Sequence, residues 1–96
     1  MFARLTTIQG KPEKVEDAIR VIENDVIPAS KVLPGFKNGY WFADRKSGKM
    51  YALTVFETEK HVEETEAAAN QLRKNTTEKL GAEIKNVERL ELLART

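Results

Sequence analysis

The feature that most constrains this chain is a pair of neighbouring strand-like segments in which neither face is polar. Successive side chains of a strand alternate between the two faces of a sheet. The first segment, residues 38–44, therefore divides its apolar residues between both faces: Tyr40 and Phe42 against Trp41 and Ala43. The second segment, residues 50–57, divides in the same way: Met50, Ala52, Thr54 and Phe56 against Tyr51, Leu53 and Val55. The helices of so small a chain can cover one face, so the other face needs a partner.

Composition narrows the class of protein. Ninety-six residues indicate a single domain, residues 1–96, and 16 basic against 15 acidic residues give a net charge of +1. This balance argues against a nucleic-acid or membrane-surface binder. The absence of cysteine excludes thiol nucleophiles and cysteine metal sites. No secretion signal or membrane-spanning apolar run is recognisable, so the sequence predicts a cytoplasmic protein.

Local signals predict six secondary-structure elements in the order strand, helix, strand, strand, helix, strand. Pro12 favours the start of the first helix, Pro28 should end it, Thr58 is a plausible N-cap of the second helix, and Gly81 should stop that helix. The strands are expected over residues 2–9, 36–44, 50–57 and 84–94. This order predicts a ferredoxin-like α+β fold, βαββαβ, with a four-stranded antiparallel sheet and both helices on one face.

The strand faces suggest which side of the sheet the helices cover. The more apolar set is expected beneath the helices: Ala3, Leu5, Trp41, Ala43, Tyr51, Leu53, Val55, Leu90 and Leu92. The opposite face is expected to pair with a second copy, through Tyr40, Phe42, Thr54 and Phe56. Arg4 and Arg89 would then lie in that interface, either in an ion pair with Glu91 or as an anion site.

Four short motifs resemble a known family. They are Gly10-Lys11-Pro12, Leu33-Pro34-Gly35-Phe36, Ser47-Gly48-Lys49 and Val55-Phe56-Glu57-Thr58. Their order along almost the whole chain resembles antibiotic-biosynthesis-monooxygenase-like domains. The resemblance implies a homodimer, a dimeric α/β barrel with its two sheets facing each other, and a small-molecule pocket between sheet and helices in each protomer.

The resemblance also implies a leading function, a monooxygenase that needs no metal or prosthetic group and acts on a small aromatic substrate such as a quinol or polyketide-like compound. Two alternatives stay open. The protein could be a non-enzymatic binder of a small hydrophobic or aromatic ligand, or the barrel could serve chiefly for assembly. Under the oxygenase hypothesis, an electron-rich substrate itself reduces oxygen. The protein need then only bind, orient and deprotonate the substrate.

The haem-degrading branch of the same superfamily is a poor match. It carries an Asn on the first strand, a Trp on the second helix and a His about three turns further along. The corresponding positions here hold Ala3, Thr65 and Asn75. The sequence therefore predicts a protein without that haem-degrading site.

His61 is the only histidine and the only candidate for a catalytic proton acceptor. Its ordinary pKa lies near neutrality, which suits a base at a pocket mouth. It falls in the first turn of the second helix, beside Lys60, where an exposed surface residue is the simpler interpretation.

Five residues are candidates for substrate binding. Trp41 and Tyr51 would form an aromatic wall, and an inward helical stripe of short residues would leave room opposite them: Thr65, Ala69 and Leu72. For Trp41 and Tyr51, ordinary core packing is the simpler interpretation.

Overall fold

The computed structural model describes all residues, 1–96, as four strands and two helical segments. The strands are β1 (Phe2–Gln9), β2 (Phe36–Ala43), β3 (Lys49–Phe56) and β4 (Glu83–Glu91). The first helical segment contains α1 (Val15–Val21) and α2 (Ile27–Lys31), and the second contains α3 (Glu59–Glu64) and α4 (Glu66–Leu80). No helix combines the length and the apolar character needed to cross a bilayer.

The second helical segment begins and ends where the sequence predicts. Thr58 is extended, and its Oγ1 accepts a hydrogen bond from the backbone N–H of His61 at 3.2 Å, which caps α3. Gly81 ends α4 with a left-handed backbone, φ +60°. Thr65 separates α3 from α4, and its hydroxyl donates to the carbonyl of His61 at 2.7 Å.

The prediction that Pro28 ends the first helix is wrong. A π-helical turn, Ile22–Val26, joins α1 to α2, and α2 continues through Pro28 to Lys31. Pro28 falls in the first turn of α2, directly after the π-helical turn. A wider turn changes which carbonyl faces each N–H, so the proline ring and its missing donor interrupt the hydrogen bonds less than in a regular helix interior.

The sheet confirms the ferredoxin-like prediction. Its strand order is β2-β3-β1-β4, every neighbouring pair is antiparallel, and the helices pack on one face. The edge strand β4 is exposed along its whole length. A register shift in β2 between Phe36 and Asn38 lets Phe36 and Trp41 share a face despite their odd spacing.

The predicted faces of β1, β3 and β4 are inverted. Residues directly opposite each other share a face, and the hairpin pairs Phe42 with Tyr51 and Trp41 with Ala52. Trp41 and Ala43 do face the helices, but the strand residues that accompany them are Arg4, Thr6, Ile8, Met50, Ala52 and Thr54.

Two of the four residues predicted for a dimer interface therefore lie on the wrong face. Phe56 is 0% exposed beneath the helices, and Thr54 lines the space under them. Tyr40 and Phe42 do lie on the open face, 51% and 52% exposed. We call this side the open face; it carries Leu5, Tyr40, Phe42, Tyr51, Leu53 and Leu90.

Candidate functional site

A largely apolar cavity of about 80 Å³ lies between the helices and the sheet. Along β1 it runs past three alternate residues, Arg4, Thr6 and Ile8. Arg4 and Ile8 are four residues apart, about 13 Å along a strand, so the cavity is elongated. The opposite wall comes from the helices, with Ala18, Ile22, Val26, Ala69, Leu72, Arg73, Thr76 and Leu80 among the contributors.

Short side chains explain why space remains there. Ala69 of α4 and Ala52 of β3 both line the cavity, where longer residues would fill it. The hydroxyl of Thr76 donates back to the carbonyl of Leu72 at 2.8 Å. On the other helical segment, Ile22 and Val26 reach the cavity from the two ends of the π-helical turn.

Trp41 lies across β2 because its neighbour two residues away is a glycine. A Cβ at Gly39 would lie 2.6 Å from Cη2 of the Trp41 ring, closer than such atoms approach. Gly39 and Trp41 share the helix side of the strand, so the ring extends over the glycine. The indole thereby forms part of the cavity wall.

A second, more open pocket of about 210 Å³ adjoins the cavity at the β2–β3 hairpin. The two spaces share five lining residues: Ala18, Ile22, Trp41, Phe42 and Met50. The outer pocket also reaches Ala43 and Arg45. Since Ala43 pairs with Met50, and Met50 with Ile8, the pocket lies at the Ile8 end of the cavity, away from Arg4.

Arg4 occupies the opposite end of the cavity and is almost completely buried, with its side chain 4% exposed. Its Nη2 donates to the carbonyl of Val62 at 2.7 Å and to Oγ1 of Thr65 at 3.0 Å. Its Nε donates to Oε2 of Glu66 at 3.2 Å, and its guanidinium carbon lies 5.2 Å from the centre of the Phe56 ring. These contacts fasten the junction of α3 and α4 to β1.

Arg73 is the second arginine of this cluster. Its Nη2 donates to Oε1 of Glu66 at 3.1 Å, and its side chain is 10% exposed. Its Nε is buried and has no hydrogen-bond partner. Both Arg4 and Arg73 line the cavity, so two guanidinium groups share one carboxylate at this end.

The surroundings of Arg4 lower the pKa of its guanidinium. Desolvation lowers the pKa of its guanidinium, the carboxylate of Glu66 partly opposes this, and the positive charges of Arg73 and Arg89 lower the pKa further. The predicted pairing of Arg4 and Arg89 with Glu91 is wrong. Arg4 pairs with Glu66, and Arg89 pairs with Glu63 at 3.2 Å on the helix side.

Most residues predicted for substrate binding reach the cavity. Trp41, Ala69 and Leu72 line it. Tyr51 also contributes to the wall, but strand alternation places its ring on the open face, opposite to Met50 and Ala52. Thr65 does not line the cavity; it acts one step away, as an acceptor for Arg4. Their role in binding a ligand stays a prediction.

His61 is not brought together with these residues. It does not line the cavity, and its Nδ1 lies 2.9 Å from Oγ1 of Thr58 within the cap of α3. Its ring packs against Gly35 so closely that a Cβ there would overlap it. The histidine therefore fills a junction between α3 and the start of β2. No Asp, Glu or His lines the cavity.

Glu66 and Arg73 are site residues that the sequence analysis missed. Their spacing from the inward stripe carried the signal, because Glu66 is three residues before Ala69 and Arg73 is four after it. Positions three and four apart lie on the same side of a helix, so both flank the alanine that faces the cavity.

A scan against models of protein families gives no match, and a search of curated proteins gives none either.

Comparison by structure does identify the fold. The chain is similar to HapK from Hahella chejuensis, with a TM-score of 0.77 and 10% identity over 100% of this chain and 96% of HapK. It is similar to the monooxygenase from the gene ActVA-Orf6 of Streptomyces coelicolor, solved with the ligand nanaomycin D. That match has a TM-score of 0.69 and 14% identity, and covers 99% of this chain and 88% of the monooxygenase.

A third solved structure is described as an antibiotic biosynthesis monooxygenase. It matches with a TM-score of 0.67 and 11% identity over 98% of this chain and 100% of that protein. The chain thus has the fold of antibiotic-biosynthesis-monooxygenase-like domains, which confirms the resemblance at the level of fold. At these identities the structural similarity shows the fold alone.

Proposed function

We propose that the protein is a monooxygenase that needs no metal or prosthetic group and oxidises a small aromatic substrate in the cavity between sheet and helices. The observation that supports this most is the cavity itself. It is largely apolar, walled by the only tryptophan, and adjoined by an outer pocket that shares five of its lining residues. Apolar cavities with a few polar groups at one end are typical small-molecule sites. The shared fold of the monooxygenase solved with nanaomycin D adds support.

The proposed reaction uses the electrons of the substrate. A ring hydroxyl loses its proton, and the electron pair moves to a ring carbon that carries hydrogen. That carbon bonds to one atom of O₂, and the resulting peroxide takes up a proton, loses water and leaves a carbonyl. One oxygen atom stays in the product and the other leaves as water, while the substrate supplies all four electrons. The protein contributes orientation and a dry cavity.

One observation favours a second function, a non-enzymatic binding protein. The cavity wall contains no Asp, Glu or His, and His61 lies elsewhere. An enzyme with this wall must release the substrate proton to water at the outer pocket, whereas a binder needs no proton acceptor. The two functions share the cavity and differ only in oxygen use.

Binding is tested with hydroquinone, a one-ring probe, and anthrone, a three-ring probe. A bound probe should quench the fluorescence of Trp41 and raise the melting temperature. Ala69→Phe fills the cavity and should abolish both effects, while Ala68→Phe, an equal change at an exposed position of the same helix, should abolish neither. Absence of binding to the wild type would contradict both functions and leave the assembly role.

Oxygen uptake then separates the two functions. Protein that accelerates oxygen consumption by a bound probe above its spontaneous oxidation is an oxygenase. Protein that binds the probe and leaves the rate of spontaneous oxidation unchanged, or lowers it, is a binder. Ala69→Phe serves as the control that cannot bind the probe. It should neither accelerate nor slow the oxidation of the probe.

We also propose that two copies pair through the open face. Tyr40 and Phe42 on the edge strand β2 are 51% and 52% exposed there, and Leu90 on the opposite edge strand β4 is 42% exposed. Leu53 and Leu5 lie on the two strands between them, so the apolar residues span the sheet. A contiguous apolar surface of this kind is unusual on a soluble monomer. Paired face to face around a two-fold axis, the two sheets would form a closed core with the helices outside.

A further inference from the structure

We propose that Arg4 and Arg73 form a carboxylate-binding subsite, so that the ligand of the cavity is a small apolar molecule carrying one carboxylate. This inference rests on the proposed use of the cavity as a ligand site. The apolar part would lie along Ile8, Met50 and Trp41, towards the outer pocket, and the carboxylate would reach the arginines at the far end.

The first support is the charge balance. Arg4 and Arg73 have side chains only 4% and 10% exposed, and the single carboxylate of Glu66 neutralises one of the two positive charges. An uncompensated buried charge is costly, and a bound anion would relieve that cost. The rest of the cavity wall carries no other charged group, so the excess charge is confined to this end.

The second support is geometric. Glu66 already bridges the two guanidinium groups, with Oε2 3.2 Å from Arg4 and Oε1 3.1 Å from Arg73. The separation of the two arginines therefore suits the two oxygens of a carboxylate. Glu66 is itself 38% exposed, so it occupies the solvent side of the pair and leaves the cavity side to a second carboxylate.

The third support is the unused donor. Nε of Arg73 is buried without an acceptor, which costs free energy comparable to a lost hydrogen bond. A purely structural role explains Arg4, whose donors hold Val62, Thr65 and Glu66. Such a role also explains Nη2 of Arg73, which donates to Glu66 and Asn70, but it does not explain the buried Nε of Arg73. A ligand carboxylate supplies the missing acceptor.

The test compares benzoate with benzamide, which has nearly the same shape and no charge. Isothermal titration of the wild type should give benzoate an affinity about tenfold higher than benzamide, the factor expected of a charge-assisted hydrogen bond. In a ¹⁵N NMR spectrum, benzoate and not benzamide should shift the Nε–H resonance of Arg73. Both measurements use the unaltered protein.

Variants locate the subsite. Arg73→Met should remove the preference for benzoate and keep the binding of benzamide. Lys74→Met removes the same charge from the next residue, which is exposed, and should keep the preference. Circular dichroism of each variant checks the fold, and the wild-type measurements decide the question if Arg73→Met does not fold.

Three outcomes would overturn the inference. Equal affinity for benzoate and benzamide removes the subsite and leaves the cavity as a ligand site. Binding of neither probe removes the subsite and counts against the proposed function as well. A benzoate preference that survives Arg73→Met, with an unmoved Nε–H resonance, places the anion elsewhere.

Discussion

The two faces of the sheet are built from the same four strands, and they differ more in their partners than in their composition. The helix side holds Phe56, which is fully buried, and also a buried arginine, Arg4, with two threonines beside the cavity. The open face holds Leu5, Leu53 and Leu90, with Tyr40 and Phe42 about half exposed. Judged by apolar content alone, the open face looks more like a core.

A charged residue can be buried beneath a helix when that helix supplies acceptors for its hydrogen bonds. Arg4 lies under the helices because Val62, Thr65 and Glu66 provide a carbonyl, a hydroxyl and a carboxylate at the junction of α3 and α4. An apolar face without such a cover stays open however suitable its residues are.

Truncating an aromatic residue should cost far more on the helix side than on the open face. Phe56→Ala removes a ring that is 0% exposed and packs edge to face on Phe36 at 5.9 Å between ring centres. We expect the free energy of unfolding to fall by about 3–5 kcal/mol. Phe42→Ala, the matched change on the open face, should cost less than half as much in denaturant titrations at low protein concentration. Equal losses would show that the two faces are not distinct.

A charge on the open face should act on association and leave the protomer folded. Phe42→Glu would bury an unpaired carboxylate between two copies, so we expect dimer association to weaken at least tenfold, about 1.4 kcal/mol. Light scattering across a concentration series measures this. A wild-type protein that is monomeric at micromolar concentration would contradict the proposed pairing.

Removing the shared carboxylate should destabilise the helix side moderately. Glu66→Gln leaves Arg4 and Arg73 without their counter-charge, and because Glu66 is 38% exposed we expect a loss of only about 1–2 kcal/mol. Glu16→Gln breaks the surface pair with Arg45, in which both side chains are 64% exposed, and should change stability by less than about 0.5 kcal/mol. Urea titrations of both variants provide the comparison.

The smallest effect should come from the loop between β2 and β3, whose contribution to stability depends on pH in the acidic range. The pKa of Asp44 is lowered chiefly because the backbone N–H of Lys46 donates to its carboxylate at 2.9 Å. A lowered folded pKa gives stability that is present above the ordinary value of 3.8 and lost as the pH falls through the folded pKa. NMR titration of the Asp44 carboxyl carbon should give a midpoint below 3.8.

Asp44→Asn is the control for the acid effect. The asparagine keeps an amide oxygen as acceptor for Lys46 and cannot titrate, so it should remove the pH dependence and leave the hairpin register unchanged. A midpoint of the wild type at or above the ordinary value would contradict the prediction.

The sequence predicts the elements well because their signals are local. Thr58 caps α3 and Gly81 ends α4 through contacts within a few residues, and the strand order follows from connections of ordinary length. Pro28 misleads because a π-helical turn has no recognised sequence pattern. Its effect on the following helix is visible only in the hydrogen bonds.

The face assignment fails for a physical reason of another kind. Which residues of β3 lie beside Trp41 depends on how the loop between β2 and β3 sets the register, and a shift of one residue exchanges the faces. Apolar content cannot correct such an error when both faces are apolar. The error in the face assignment also affects the prediction of the site residues. Ala69 and Leu72 are found by helical spacing alone. The same spacing places Arg73 beside them, but its place in a charged cluster follows only once Arg4 is known to face α4.

The exposed edge strand β4 has a consequence for the behaviour of the protein in concentrated solution. Five of its nine residues are charged: Glu83, Lys85, Glu88, Arg89 and Glu91. A free strand edge offers unpaired backbone groups to any other strand, and charged side chains make that pairing costly because they must lose their hydration. The charges of β4 thus discourage, along this edge, the edge-to-edge growth that leads to fibrils, while the open face stays apolar.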